Sequence, residues 1–544
     1  MKSKYIFFLG ILIILSKLFF IEVDPPKWNT SFYQPIDELY YVYPAYNYFD
    51  KGELFVEDDA VLFGNPIFTN VLTYVSLYTF GNNYFGLRMS SIVFGILSFI
   101  ILFSLLKKLR IQEYLLLIVV LFFTFNFNFT VSNLVLEPSI ARMASMMFAL
   151  WLIVKWKEKD YPNDYQIIWQ SCTISLLLIL SYPTNAFIVL AGYITLVLIK
   201  NSNDNKITFE KRIPKILNKS IYFFIGGLIS IIFYIGFAKL IGVNVIEDTF
   251  MRGSAYNNRV GLGIREIFDN ILNLTRSNFF RFNPLLLYLT IFSIGTIIFN
   301  NNVKKNNTIL FSTVFFVCFL LQSAFINDFP QRKLIAILPL ILLITTFGFQ
   351  KFYIELQPLN KKKYLIYLIS FLFLLPLFYL ERDFYYSEAL PLITFFIGVI
   401  FFLLMIKKRE NKIWAYLLFS LLLIPEFLYT TKHYIIQRPQ HYKEALMQLS
   451  EYNNYNLLGG LSMGFQLYND ADAYLNMYLY YGDIDSFWRK TENLSKNDQK
   501  DYAVGYRDQE EKFRKIGFKP LKVLMLAEKT VYSKDLIIYE EICP

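Results

Sequence analysis

Charged residues are scarce in this chain of 544 residues: they make up 18% of the sequence, whereas 55% is hydrophobic. A soluble protein of this size is about a quarter charged. Many stretches of about 16 residues or more carry no charge, and they approach the roughly 20 residues that a helix needs to span a bilayer. The composition therefore predicts a polytopic membrane protein.

Cysteine and histidine are also rare, with three and two residues. Cys172 and Cys318 fall inside apolar runs and Cys543 lies at the terminus, so a disulfide or metal framework is not expected. Both histidines, His433 and His441, follow the last predicted span, which excludes histidine-based catalysis within the membrane part. The sequence contains no P-loop, no dinucleotide fingerprint and no HExxH motif, so nucleotide-driven chemistry has no support.

The net charge of +10 does not indicate a nucleic-acid partner, because most Lys and Arg residues cluster in short loops. These loops follow the positive-inside rule when the N-terminus is cytoplasmic. Residues 167–199 are interpreted as two spans rather than one kinked span, since a single span would put every later basic loop outside. The predicted spans are Tyr5–Ile21, Arg88–Leu106, Tyr114–Val131, Pro138–Val154, Ile167–Tyr182, Ala186–Ile199, Ile221–Ile241, Leu285–Phe299, Ile309–Ile326, Leu334–Phe349, Tyr364–Leu380, Leu390–Ile406 and Ile413–Tyr429.

The predicted fold class is an α-helical polytopic membrane protein with about 13 transmembrane helices over residues 1–429. The first span is expected to be a retained signal anchor. The apolar run Pro66–Phe80 is too short to cross comfortably, so an interfacial helix is predicted in the first outer loop. Residues 430–544 are expected to form a small α+β extracytoplasmic domain, with a helix at Tyr442–Leu449 and strands at Lys522–Leu526 and Asp535–Tyr539.

Two adjacent carboxylates, Asp37 and Glu38, follow the first span on the predicted outer side, within a tyrosine-rich loop. A carboxylate near an apolar boundary tends to have a raised pKa, which suits it to accept a proton from an attacking hydroxyl. Adjacent acids in a helix point to different faces, so the two are expected to have different roles. The alternative is a solvated loop without a catalytic role, since tyrosines are ordinary at a membrane interface.

A third acid, Glu137, precedes Pro138 at the outer end of a span, and Arg142 lies about one turn deeper in that span. Ionisable residues at a membrane boundary are costly, and a functional role is the default hypothesis for them. The alternative is a helix-start acid beside a proline at the first helical position, where its charge complements the helix dipole.

The predicted outer loop Gly242–Asn283 holds five arginines and no lysine, although outer loops are usually poor in basic residues. Guanidinium groups bind phosphate bidentately and stay charged, so one or two of the five are expected to contact an anionic headgroup. Arg332, at the outer start of a later span, is a further candidate. Pairing with nearby acids, lipid headgroups and interfacial snorkelling are the alternatives. The loop arginines are Arg252, Arg259, Arg265, Arg276 and Arg281.

The order and spacing of these motifs resemble the GT-C class of polyprenyl-phosphate-sugar-dependent glycosyltransferases, in the branch of protein mannosyltransferases, aminoarabinose transferases and Rgt-like proteins. The resemblance covers residues 1–200 and, weakly, 327–350. Asn65 stands where the family usually has His, and Glu137 where Asp is commoner. The motifs are Asp37-Glu38-Leu39-Tyr40-Tyr41, Asn65-Pro66-Ile67-Phe68, the Gly81–Arg88 segment, Glu137 with Arg142, and Pro330–Leu340.

The resemblance implies an inverting sugar transfer from a lipid-phosphate-linked donor on the extracytoplasmic face of a prokaryotic inner membrane. Asp37 would be the general base, and Glu38 and Glu137 would position the acceptor or a divalent metal ion, the one cofactor left open. Outer arginines would hold the donor phosphate. The acceptor would be a lipid, glycan or protein. The residues expected in the substrate pocket are Tyr40, Tyr41, Asn65, Arg88 and Arg142.

Three other function classes remain as alternatives, and one of them is a purely structural membrane protein, in which Asp37, Glu137 and the loop arginines would not converge. An O-antigen polymerase or ligase is also polytopic and uses polyprenyl-linked glycans, but it rests its chemistry on a large late outer loop. A transporter or flippase is expected to carry charged residues deep in several spans and a repeat between its halves. The sequence contains neither feature, which favours the transferase.

Overall fold

The chain is mostly helical, and the helices follow the apolar runs of the sequence. The computed structural model describes residues 2–24, 38, 42–54, 66–136, 138–157, 164–181, 188–195, 209–243, 263–275, 278–281, 283–299, 306–324, 331–354, 389–407, 413–449, 455–458, 472–474, 500–515, 517–526 and 534–542.

Nineteen α-helices of the described residues are labelled in chain order, and residues 188–195 are also helical. They are α1 (Ser3–Ser16), α2 (Tyr43–Lys51), α3 (Ile67–Phe80), α4 (Tyr84–Lys108), α5 (Glu113–Phe125), α6 (Phe127–Leu134), α7 (Pro138–Lys157), α8 (Asp164–Ser181), α9 (Phe209–Leu240), α10 (Ile264–Thr275), α11 (Asn278–Arg281), α12 (Pro284–Phe299), α13 (Asn307–Ala324), α14 (Leu338–Ile354), α15 (Ala389–Lys407), α16 (Ile413–Ser420), α17 (Leu423–Thr430), α18 (His441–Leu449) and α19 (Glu510–Lys515). Short 3-10 turns cover Lys17–Phe20, Gln331–Ile337 and Arg507–Gln509, and a π-helical turn covers Thr431–Gln437.

The described residues contain seven helical segments long and apolar enough to cross a membrane, or up to eight if one bent pair counts as a span. The chain is therefore a multi-pass membrane protein, whereas the predicted number of about 13 spans is not confirmed. Tyr364–Leu380 lies outside the described residues. Helix α3 has 14 residues, which is short for a span and fits the predicted interfacial helix.

One predicted span, Tyr114–Val131, is broken in the structure. Helices α5 and α6 meet at Asn126 with a bend of 47°, so the amide at the start of α6 has no partner within a continuous helix. The buried Glu426 side chain of α17 accepts the Phe127 N–H at 2.8 Å, and the Asn126 side chain accepts the Phe129 N–H at 2.9 Å. Backbone groups at membrane depth require such partners, so side chains stabilise the break.

Helices α12 and α14 approach closely through small residues. A Cβ on Gly348 would lie 2.9 Å from the Ser293 Cα and 2.9 Å from its carbonyl oxygen. Hydroxyl contacts reinforce the approach: Ser293 donates to the Thr345 carbonyl at 3.0 Å, and Thr290 contacts Thr345 at 2.9 Å. Packing of small residues with polar contacts is the usual way in which membrane helices associate.

A five-stranded sheet lies in the C-terminal part of the chain, in the order β2-β1-β3-β5-β4. Strand β1 pairs parallel with β2 and β3, whereas β5 pairs antiparallel with β3 and β4, with Val504 opposite Ile538 in the central pair. Pro520 lies on the edge strand β4, where a missing N–H is tolerated. The strands are β1 (Tyr455–Leu458), β2 (Asp472–Tyr474), β3 (Lys500–Tyr506), β4 (Phe518–Met525) and β5 (Leu536–Glu541).

The sheet and α18 pack against α2 and the start of α4. One apolar cluster joins Tyr442 and Leu446 of α18 with Ile538 of β5, Tyr46 of α2 and Tyr84 of α4. Burial of such aromatic and aliphatic surface contributes about 1.5–3 kcal/mol per side chain. The C-terminal part therefore shares a core with the segments that follow the first span.

We expect Gly348→Ala to lower the free energy of unfolding by about 1–3 kcal/mol, because the added methyl group meets the α12 backbone, which cannot move aside as a side chain can. Thermal unfolding of the purified full chain in detergent measures the effect. Gly236→Ala is the matched control, since a Cβ there meets nothing within 4 Å. Equal stability of the two variants would contradict the close α12–α14 packing.

Candidate active site

A glycine-containing turn places Arg88 at the start of α4. Gly81 adopts φ 85° after α3, and the Asn83 side chain caps α4 by accepting the Gly86 N–H at 2.9 Å. A Cβ on Gly86 would lie 2.1 Å from the Gly81 carbonyl oxygen, so only glycine fits there. The turn fixes the direction of α4, and Arg88 follows two residues after Gly86.

Arg88 and Glu38 form a fully buried ion pair. The Arg88 Nη2 lies 2.6 Å from Glu38 Oε1, and Nε lies 3.0 and 2.9 Å from the two carboxylate oxygens. Both side chains are 0% exposed. The guanidinium also stacks on the Tyr84 ring at 4.1 Å from its centroid. A buried charge needs a partner of this kind, because removing one member leaves the other uncompensated.

Glu38 also holds the segment that leads to Glu137. The Leu136 N–H donates to Glu38 Oε2 at 3.1 Å. Two hydrogen bonds with Ser91 hold the residues before Leu136. The Ser91 hydroxyl donates to the Val135 carbonyl at 3.1 Å, and the Asn133 side-chain amide donates to the Ser91 carbonyl at 2.6 Å. The chain neighbours of Asp37 and Glu137, which are Glu38 and Leu136, are thus hydrogen-bonded to each other.

The environment of Glu38 suits a positioning role. Burial raises the pKa of the Glu38 carboxyl, while the Arg88 charge and the Leu136 N–H oppose that rise. Both oxygens already accept hydrogen bonds, so neither is free to take a proton from a substrate without breaking a contact. The sequence-based roles of Glu38 in catalysis or metal binding stay predictions.

The predicted metal site gains no further ligands from the described residues, which contain no group of three or more His, Cys, Asp or Glu able to hold an ion. Glu38 fits a ligand role poorly, because a cation would have to compete with Arg88 for the same oxygens. Glu137, the other candidate ligand, lies outside the described residues.

Arg142 has a different environment from Arg88. Its side chain is 2% exposed, donates from Nη2 to the Gln322 side-chain oxygen at 2.8 Å, and stacks over the Phe319 ring at 4.7 Å. Both partners lie on α13, so these contacts tie α7 to α13. The predicted place of Arg142 in the substrate pocket stays a prediction.

Several predicted site residues cannot be placed. Arg281 ends α11 and Arg332 lies in the turn Gln331–Ile337, and only their backbone is described. Arg265 of α10 is exposed. The predicted residues outside the described ranges are Asp37, Tyr40, Tyr41, Asn65, Glu137, Arg252, Arg259 and Arg276.

Three residues that were not predicted as site residues, Asp24, Ser91 and Asn133, lie around the Arg88–Glu38 pair and the segment before Glu137. Asp24 is 4% exposed and lies at the end of the segment Ile21–Asp24. The Arg88 Nη1 donates to two carbonyl oxygens of this segment, that of Ile21 at 2.5 Å and that of Val23 at 3.3 Å. The signal that could have identified Asp24 is its position, as an acid directly after the first span, which is the argument applied to Asp37.

We expect Arg88→Met to lower the free energy of unfolding by about 3–5 kcal/mol, because the Glu38 charge would remain buried without its partner. Arg514→Met is the matched control: the Arg514–Glu510 pair has the same 2.6 Å N···O separation, but its side chains are 63% and 28% exposed. Exposed pairs contribute about 0–1 kcal/mol. Thermal unfolding of the full chain in detergent measures both variants. An equal loss of stability in Arg88→Met and Arg514→Met would contradict the structural role of Arg88.

Comparison with solved structures gives a match over nearly the whole chain. The crystal structure of ArnT from Cupriavidus metallidurans bound to undecaprenyl phosphate is similar with a TM-score of 0.57 and 12% identity, over 99% of this chain and 98% of that chain. ArnT from the same organism in the apo state gives a TM-score of 0.55 and 11% identity, over 98% and 97% of the two chains.

No protein-family model matches the sequence, and no curated protein matches it significantly. At 11–12% identity the likeness to ArnT is one of fold. Because the match covers 98–99% of this chain, it includes both the membrane helices and the C-terminal sheet. It agrees with the order of motifs that resembles the GT-C class, which includes the aminoarabinose transferases. The chain thus has the fold of ArnT, over nearly its whole length.

Proposed function

We propose that this protein is an integral-membrane glycosyltransferase that moves a sugar, with inversion, from a polyprenyl-phosphate-linked donor to an acceptor on the extracytoplasmic face. The observation that carries the proposal is the ArnT fold over 99% of the chain, together with the buried Glu38–Arg88 pair at the position of the acidic motif. Fold alone does not define chemistry, so the site residues supply the rest of the argument.

The donor class is supported by the lipid bound in the similar structure. ArnT from Cupriavidus metallidurans was crystallised with undecaprenyl phosphate, which is the kind of lipid that remains after a polyprenyl-phosphate-linked sugar is transferred. This chain has a similar fold over nearly its whole length, and the proposal gives it the same class of lipid ligand. We therefore infer that undecaprenyl phosphate, or a closely related polyprenyl phosphate, is the leaving group here.

The hydrogen bond between Leu136 and Glu38 supports one shared site for the predicted acids. Asp37 precedes Glu38 in the chain and Glu137 follows Leu136, so one contact at 3.1 Å links the two acidic motifs. Arg88 donates hydrogen bonds to both oxygens of the same carboxylate and so supports its position. Rigid supporting contacts are what a catalytic group needs to hold its geometry.

In the proposed reaction, Asp37 takes the proton of the acceptor hydroxyl as its oxygen attacks the anomeric carbon. The bond between that carbon and the phosphate oxygen breaks, and polyprenyl phosphate leaves with the additional negative charge. A single displacement of this kind inverts the anomeric configuration. Glu137 positions the acceptor, and arginines from the outer segments stabilise the charge on the leaving phosphate.

Among the arginines, the predicted donor-phosphate ligands are Arg252, Arg259, Arg276, Arg281 and Arg332, with Arg142 and Arg88 expected nearby. Arg88 is occupied by Glu38 and by backbone carbonyls, so it supports the site rather than binding the phosphate. The sugar is a hexose or pentose, and a divalent metal ion held by Glu137 remains a proposal that chelation of the enzyme tests directly.

We expect Asp37→Asn to lower the rate of sugar transfer by about 100-fold or more, because a positioned general base contributes about 10²–10⁴-fold. The measurement uses membranes that contain the full chain and labelled sugars linked to undecaprenyl phosphate. Loss of label from the donor and its gain in lipid, glycan and protein fractions are followed together.

Glu53→Gln is the matched control, since Glu53 is an exposed acid of the same outer loop and should retain wild-type transfer. Full activity of Asp37→Asn would remove the role given to Asp37. Transfer of preassembled glycans that tolerates Asp37→Asn would instead support the polymerase or ligase alternative.

We expect replacement of a phosphate-binding arginine by Gln to raise the donor KM by about 10- to 100-fold, since a hydrogen bond to a charged group contributes about 1.5–3 kcal/mol. Arg252, Arg259, Arg276, Arg281 and Arg332 are changed one at a time, and Arg514→Gln on the exposed side of α19 is the control. An unchanged KM in all five variants would exclude this set of arginines from donor binding.

A further inference from the structure

The segment Ile21–Asp24 lies between the Arg88–Glu38 pair and the C-terminal part of the chain. On one side Arg88 donates to the carbonyl oxygens of Ile21 and Val23. On the other side the Asp24 N–H donates to the Pro439 carbonyl at 2.8 Å. Four residues are therefore held from both directions by buried hydrogen bonds.

Asp24 makes the strongest connection to the C-terminal part. Its Oδ2 accepts the Tyr442 N–H at 3.2 Å, and its carbonyl oxygen accepts a hydrogen bond from His433 Nε2 at 2.8 Å. Tyr442 is the second residue of α18, where backbone N–H groups have no partner within the helix. An acid from a distant part of the chain thus caps α18, a role that usually belongs to the residue just before a helix.

We propose that Asp24 is a positioning residue, whose carboxyl group ties helix α18 to the Arg88–Glu38 pair through the Ile21–Asp24 segment. The tie is a feature of the fold by itself, whereas its effect on transfer rests on the proposed function. It gives the C-terminal part of the chain a physical route to the acidic motif: displacement of α18 moves the carbonyl oxygens that orient Arg88, and Arg88 orients Glu38.

Burial makes this tie sensitive to pH. Asp24 is 4% exposed, and burial raises the pKa of its carboxyl to about 7. The backbone N–H groups of Tyr442 and His441 and the Arg88 charge lower this pKa, whereas the Glu444 charge raises it further. His433 from the π-helical turn faces its carbonyl oxygen. The Lys443–Glu22 pair at 2.6 Å lies beside it and is partly exposed.

The direction of the pH effect follows from proton binding. The pKa of an exposed Asp carboxyl is about 4, whereas burial raises the pKa of the Asp24 carboxyl to about 7. The docked state binds more protons between these values, so docking of α18 is strongest below about pH 4 and weakens as the pH rises to about 7. Above about pH 7 the carboxylate is ionised and buried, and docking is at its weakest.

Hydrogen exchange of the full chain in detergent tests the tie without any substrate. Exchange of peptides covering residues 441–449 is measured at pH 5.5, 7 and 8.5 and corrected for the chemical exchange rate at each pH. We expect wild-type protection to fall by about tenfold between pH 5.5 and pH 8.5. Asp24→Asn, which is neutral and still offers an oxygen acceptor, should keep its protection at pH 8.5.

Asp24→Ala removes the acceptor and should lose about tenfold of the protection at every pH. Glu22→Gln is the matched control, because it removes a charge from the same segment and from a partly exposed pair with Lys443. Its pH profile should match that of the wild type. Wild-type protection of α18 in Asp24→Ala, or a pH-dependent Asp24→Asn, would overturn the tie.

Transfer from undecaprenyl-phosphate-linked sugars tests the positioning role. We expect Asp24→Ala to lower kcat by about tenfold with the donor KM changed less than about twofold, and Asp24→Asn to restore kcat and flatten its pH profile. Loss of protection without a change in kcat would overturn the positioning role alone. Absence of transfer by the wild type with all donors would instead contradict the proposed function. The hydrogen-exchange result would still test the Asp24–α18 contact, because that measurement needs no substrate.

Discussion

The buried ion pair between Glu38 and Arg88 is the contact that joins the chain segments around the predicted acidic motif. Two fully buried charges are stable only because each supplies the other's partner. Around this pair three stretches of chain meet, each by a hydrogen bond: the end of the first span, the residues before Glu137, and α4 itself. Loss of the pair would release all three at once.

The same constraint operates deeper in the molecule. At two breaks between described helices, a side chain from another helix pairs with the freed backbone group: Glu426 accepts the Phe127 N–H, and Ser91 donates to the Val135 carbonyl. In an apolar surrounding an unpaired N–H or C=O group costs several kcal/mol. These side chains join α17 to α6 and α4 to the end of α6, so they help to define which helices are neighbours.

The C-terminal part belongs to the same physical unit as the acidic motif. Its sheet and α18 share an apolar cluster with α2 and α4, and Asp24 caps α18. The sheet buries apolar surface against the membrane helices through this cluster, which contributes to the stability of the C-terminal part. The proposed transfer site thus lies close to the junction of membrane helices and sheet.

Local patterns in the amino-acid sequence were enough to establish the membrane class, the approximate position of many helices and the acidic motif, since hydropathy and charge act locally. The predicted strands Lys522–Leu526 and Asp535–Tyr539 and the predicted helix Tyr442–Leu449 overlap β4, β5 and α18, whereas β1, β2 and β3 were not predicted. The folded chain was needed to reveal that Glu38 is occupied by Arg88, that Arg142 pairs with Gln322, that a predicted span bends at Asn126, and that Asp24 caps α18. The contacts behind these features join residues 50 positions apart (Glu38 and Arg88), 180 apart (Arg142 and Gln322), 299 apart (Phe127 and Glu426) and 418 apart (Asp24 and Tyr442). Such pairs form only when whole helices pack together, so a local sequence pattern does not encode them.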